Sequence, residues 1–245
     1  MSQAFNAMTD TIDHLINDVY EKKLVTQESE LRFLQSQINP HFMYNVLCSI
    51  ALMAQMDGNA DIQKMASNFA GLTQARLSGG GDVKIPLAQE LQYAKFYIEL
   101  QQMRFGEKIS YQVSVSDEEL LTCLVPKLII EMLVENAVGH GIEPKDGSGT
   151  VHVSAGYAEN GAIELVVADD GVGFEGQNGE IPLPLDLPVS GNRHNRVALN
   201  TVYKIMQHLY GPAYGIHISY EQIGTTVTIH LPREESTYDQ SPDCR

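Results

Sequence analysis

The sequence is short of basic residues: 16 Lys and Arg stand against 31 Asp and Glu, a formal net charge of −15 at pH 7. Nucleic acid and anionic membrane surfaces demand a positive field, so this balance excludes both as general partners. It does not exclude ATP, whose phosphates a metal ion neutralises locally. Cysteine is scarce too. Cys48, Cys123 and Cys244 are odd in number, far apart and in no metal-ligand spacing, which reads as reduced cytosolic thiols. No signal peptide is visible, and no apolar run approaches the ~20 residues that span a bilayer, so the chain as given reads as soluble. What is present is a globular composition. The 245 residues are 43% hydrophobic, enough for one large domain or two small ones with a real core.

The chain is organised around residues 35–45. Leu34, Ile38, Phe42 and Val46 recur every four residues and predict an amphipathic helix. Gln37, His41 and Asn45 form a polar stripe at the same spacing. Pro40 interrupts the pattern, and an interior proline costs ~3 kcal/mol and bends the helix where His41 is presented. A lone helix histidine is more often a surface residue. Its neighbours change the weighting: LQSQINPHFMYNVLCSI closely resembles the phospho-acceptor box of LytS-type sensor histidine kinases, with Leu34, Gln37, Ile38, Asn39, Pro40, His41, Phe42, Tyr44, Asn45 and Leu47 in place. The resemblance implies that His41 receives a phosphoryl group from ATP, with Asn45 beside it in the catalytic site. The chemistry suits imidazole, whose neutral nitrogen is nucleophilic near pH 7.

Residues 1–33 carry an apolar seam that predicts a coiled coil, and SQAFNAMTDTIDHLI resembles the end of a HAMP signal-relay module. Residues 34–104 then read as dimerisation and phosphotransfer helices: the His41 helix, a turn at Asp57-Gly58-Asn59, a second helix over 60–78, and a linker helix from Pro86 to Gly106. Paired hairpins from two chains make a four-helix bundle. From about residue 105 to 232, strands alternate with helices in a two-layer α/β pattern, with one helix expected over Pro126–His140 and another over Arg196–Tyr210. Residues 233–245 read as a polar tail, and the stretch before Arg196 as a loop rich in Pro and Gly. The fold class expected is therefore α+β, a long-helix hairpin followed by a two-layer α/β domain.

Three motifs in the second domain carry chemistry. In LIIEMLVENAVGHG (128–141), Glu135 and Asn136 interrupt an apolar helix, and a buried polar group there needs a partner. In ADDGVGF (168–174), a strand ends in two carboxylates followed by glycines that let backbone approach a flat ligand. In Gly224-Thr225-Thr226-Val227, Thr225 shares strand parity with Val227, Ile229 and Leu231. Together and in this order they resemble the GHKL nucleotide-binding fold of histidine kinases, gyrase-type ATPases and heat-shock chaperones. The resemblance implies ATP and Mg2+ as cofactors. By it Asn136 holds the metal, Asp169 accepts from the adenine amino group with Thr225 in support, Gly171 and Gly173 shape the pocket, and His140 and Gly141 match the family's His-Gly.

The chain also departs from the family. Gly139 stands where the family has lysine, Asp170 adds a carboxylate, and Arg196 and Ala198 stand where a lid has glycines. Arg196 offers a replacement cation. The function the resemblance implies is autophosphorylation on His41 and transfer to a response-regulator aspartate, by a homodimer forming the cytoplasmic portion of a membrane sensor whose N-terminal sensor region is missing. The alternative is a degenerate kinase acting as a dimeric adaptor. A non-kinase ATPase is disfavoured, since it gives no reason for an intact phospho-acceptor box.

Overall fold

A computed structural model of the protein describes residues 40–77, 83–173, 179–180, 193–220 and 223–235. The expected coiled coil over 1–33, the helical turn before Pro40, most of the Pro- and Gly-rich stretch and the end of the tail lie outside them.

Helix α1 (Pro40–Met56) and helix α2 (Ala60–Leu77) pack as a hairpin. Gly58 turns the chain with φ 70, and Asn59 caps α2 by accepting the Ile62 N–H at 3.1 Å. Small residues let the helices approach closely: Ala51, Ala54, Ala66, Ala70 and Ala75 are all buried. Gly71 extends this to the next element, since a Cβ there would stand 2.7 Å from the Phe96 ring. Val46, Ile50, Met53, Ile62, Met65 and Phe69 remain exposed. Strand β1 (Lys84–Pro86) leads into helix α3 (Leu87–Phe105), which starts after Pro86 and stops at Gly106 with φ 63, as the sequence predicts.

The second unit is one six-stranded sheet. Its strands are β2 (Ile109–Val115), β4 (Gly149–Tyr157), β5 (Ile163–Asp169), β6 (Gly179–Glu180), β7 (Gly215–Tyr220) and β8 (Thr225–Leu231), ordered β2-β4-β5-β8-β7-β6. β2 runs parallel to β4, and every other pairing is antiparallel. The central strands alternate, with Val151, Val153, Leu165, Val167, Val227 and Ile229 turned to the core. Helices α4 (Ile129–Asn136) and α5 (Arg193–Tyr210) cover that face through Ile130, Leu133, Val134, Leu199, Val202 and Met206. Full burial of each large aliphatic is worth ~1.5–3 kcal/mol, which fixes the helices on the sheet.

One expected helix does not form as read. Leu124–Pro126 instead makes strand β3, paired with β1, and Leu128 takes a left-handed φ of 68 before α4 begins. The reason lies in a distant residue. Glu90 of α3 is fully buried and accepts the backbone N–H groups of Leu128 and Ile130, capping a helix whose own N-cap residue has no polar side chain. Beyond Asn136 the chain continues as a π-helical turn, Ala137–Ile142. α5 begins three residues earlier than read, at Arg193. No helix among the described residues is long and apolar enough to cross a membrane.

Candidate nucleotide and phospho-acceptor site

The site forms where α4 ends over the tip of β5. The π turn, seen in the Glu143 N–H bonding to the Val138 carbonyl at 2.8 Å, re-aims the backbone after Asn136. The Oδ1 of Asn136 is buried with no hydrogen-bond partner among the described residues. An unpaired buried amide oxygen costs about 1–3 kcal/mol, and a hard cation is the ligand that would use it. Among the described residues no three His, Cys, Asp or Glu side chains gather to hold a metal, so phosphate and water oxygens would complete such a sphere.

Asp169 ends β5 directly opposite Thr225 of β8. Its carboxylate accepts the Gly171 N–H at 2.9 Å and the backbone N–H of Thr225. Burial outweighs these bonds and pushes its pKa up to about 6. Thr225 therefore supports Asp169 through its backbone. Gly141 is a glycine because Asp169 demands it: a Cβ would lie 2.4 Å from Asp169 Oδ1. A Cβ on Gly171 would lie 2.3 Å from the Gly141 backbone, and the Val172 N–H bonds to the Gly141 carbonyl at 3.0 Å. The loop after β5 is thus clasped to the π turn, and Gly173 leaves it with φ 64. Half-buried His140 sits in the same turn. So Asn136, His140, Gly141, Asp169, Gly171, Gly173 and Thr225 come together.

Asp170 bears on the pocket through its charge, which helps to raise the Asp169 pKa, and it is itself partnered. Its Oδ1 accepts the Thr150 N–H at 2.8 Å and pairs with Lys145 Nζ at 3.1 Å, so the extra charge is met by a loop lysine. Sequence reading missed Lys145, which no periodicity sets apart. It also passed over Gly224, where a Cβ would sit 1.9 Å from the Asp169 carbonyl, and Glu90. Gly224 was legible as part of the Gly-Thr-Thr-Val motif; the other two were not. Gly139 has open space around a notional Cβ, so no steric need keeps it glycine. Arg196 and Ala198 lie in the first turns of α5, in regular helix. His41 and Asn45 lie on the first turns of α1, where the Asn45 carbonyl accepts the Ser49 hydroxyl at 2.8 Å.

The histidine kinase family model matches residues 29–109, and the model of histidine kinase-, DNA gyrase B- and HSP90-like ATPases matches 125–235. The chain is 30% identical over 233 residues to sensor histidine kinase YesM of Bacillus subtilis, covering 95% of this chain and 38% of that protein. It is 29% identical over 206 residues to sensor protein LytS of Staphylococcus haemolyticus, covering 84% of this chain and 34% of that one. The histidine kinase domain from the Erythrobacter litoralis EL346 blue-light activated histidine kinase aligns with a TM-score of 0.44 at 20% identity, over 83% of this chain and 93% of that domain. The chain spans a little over a third of the length of these two curated relatives. With one model matched over the helical hairpin and linker and the other over the α/β unit, the chain belongs to the histidine kinase family.

Proposed function

We propose that this chain is the catalytic portion of a sensor histidine kinase, which moves the terminal phosphoryl group of ATP to His41 and then to an aspartate of a response regulator. One observation carries the reading. A buried, unpaired Asn136 oxygen ends the helix whose π turn brings Gly141 against the Asp169 carboxylate, and glycine at 141 leaves that carboxylate uncovered. That set fits magnesium at one end of a nucleotide and an amino-group donor at the other. Bound magnesium neutralises and orients the phosphate oxygens. The residues of the chain do the rest: Asp169 accepts from the adenine amino group, Gly141 leaves room beside that carboxylate, Gly171 lets the two loops close on each other, and His41 supplies the nucleophilic nitrogen. Labelled ATP offered to wild type and to His41→Gln tests this, with label expected on wild type alone.

The exposed apolar residues Val46, Ile50, Met53, Ile62, Met65 and Phe69 support a homodimer in which two hairpins form a four-helix bundle. A monomer by light scattering at micromolar concentration would defeat that part. The relatives named as sensors support a cytoplasmic piece joined to a membrane sensor region. A second reading, a weak or inactive kinase serving as an adaptor, draws on α5: its backbone N–H groups beyond the first turn are spent within the helix, so Ala198 offers none to phosphate. The pairing of Asp170 with Lys145 offsets part of the extra charge, and we favour the active kinase.

A further inference from the structure

The hairpin is held to the nucleotide-binding unit of the same chain by charge. Arg76, in the last turn of α2, pairs through Nη2 with Glu131 at 2.5 Å and with Glu135 at 2.7 Å. Glu131 is 1% exposed, and the two carboxylates lie one turn apart on α4, the second of them immediately before Asn136. Nearer the turn of the hairpin, α2 is tied to the linker helix, where Asn68 donates to Glu99 of α3 at 2.7 Å and Lys64 pairs with it at 3.1 Å. These contacts fix which end of the hairpin faces the site. His41 and Ala75 are equally far from Gly58 along the two helices, so the turn bearing His41 lies level with the turn bearing Arg76. Packed helices are separated by about 8–10 Å, so a single helix spacing divides the His41 turn from the clamp. The α4 contact takes the Arg76 end of α2 and leaves exposed Ile62, Met65 and Phe69, nearer the turn, for a second copy.

We propose that Arg76 is a positioning residue that seats the His41 end of the hairpin on the Asn136 helix of its own chain, so that phosphoryl transfer runs within one subunit of the dimer. The inference rests on the kinase reading above. In the step, a P–N bond forms between the unprotonated imidazole nitrogen of His41 and the terminal phosphorus of ATP. The bond to the bridging oxygen breaks with its electron pair on ADP, and the imidazolium releases its remaining N–H proton to water.

Mixed dimers test the route. One full-length chain carries His41→Gln and the other Asp169→Asn, under separate tags, and labelled ATP is supplied with magnesium. With ATP held well below the wild-type Kd, transfer within a subunit leaves one chain without its acceptor and the other with little ATP bound, and label should fall below a tenth of the wild-type dimer. Label near half of wild type would mean transfer between subunits and would overturn the proposal. Arg76 is tested with Glu131→Gln added, so that no buried carboxylate is left without its cation. Arg76→Met with Glu131→Gln should lower the autophosphorylation rate at least tenfold and leave ATP affinity within twofold of wild type. An unchanged rate, or a parallel loss of rate and affinity, refutes the positioning role. A wild-type protein that binds ATP and leaves His41 unlabelled would sink the kinase reading and this route together.

Discussion

Replacing Asp169 with Asn should move stability and ATP affinity in opposite directions. Burial holds the Asp169 carboxyl at about 6 against a model-peptide value of 3.8, so the folded state binds its proton more tightly than the unfolded chain does. Folding therefore loses stability as pH rises from 3.8 to about 6, and the loss is complete above that. The difference is worth on the order of 3 kcal/mol at pH 7 and roughly 0.5 kcal/mol at pH 4. The amide never ionises and escapes this penalty. It offers one neutral acceptor oxygen where the carboxylate has two charged ones, so its bonds to the Gly171 and Thr225 N–H groups weaken at a cost of about 1–2 kcal/mol at every pH. The net expectation is a variant more stable than wild type by about 1–2 kcal/mol at pH 7 and slightly less stable at pH 4. For a chain of this size that is a Tm higher by roughly 2–8 °C at pH 7. ATP binding should weaken by tenfold to a hundredfold, since a charge-assisted bond to the adenine amino group is worth ~1.5–3 kcal/mol. Thermal scans at both pH values, with calorimetric titration of ATP, check both halves. A variant destabilised equally at pH 4 and pH 7, or one with wild-type ATP affinity, would refute the reasoning.

Gly141→Ala places a Cβ against Asp169 Oδ1 and should abolish measurable ATP binding while the far-ultraviolet circular dichroism stays that of wild type. Glu90 is pushed up to about 8 by burial, so wild-type stability should decline as pH rises from 4.5 through 8; Glu90→Gln should flatten that slope in urea titrations while keeping an acceptor at the head of α4. Gly139→Lys combined with Arg196→Gly and Ala198→Gly should raise the His41 labelling rate more than it tightens ADP binding, and the open space around Gly139 admits the lysine. If Arg196 supplies the missing cation instead, Arg196→Gly alone will lower that rate.

The sequence alone determined the parts whose cause is local. The hairpin and its turn follow from helical periodicity broken by Asp57-Gly58-Asn59, and the ends of α3 from Pro86 and Gly106. Asn136 stood out because a polar group in an apolar run is costly, Asp169 because a strand ends there in carboxylates followed by glycines, and the roles of both came from the family resemblance. What the tertiary structure decided involves residues distant in the chain. Leu128 leaves the helix because the Glu90 carboxylate lies against its N–H. Asp170 keeps its charge beside Asp169 and gains Lys145 as a partner, and Gly141 is fixed as glycine by a carboxylate at the end of a strand. Arg76 reads in the sequence as one more solvated helix cation. It becomes a clamp because folding buries Glu131 beneath it, and a carboxylate withdrawn from water requires a cation at the distance only the packed helices supply.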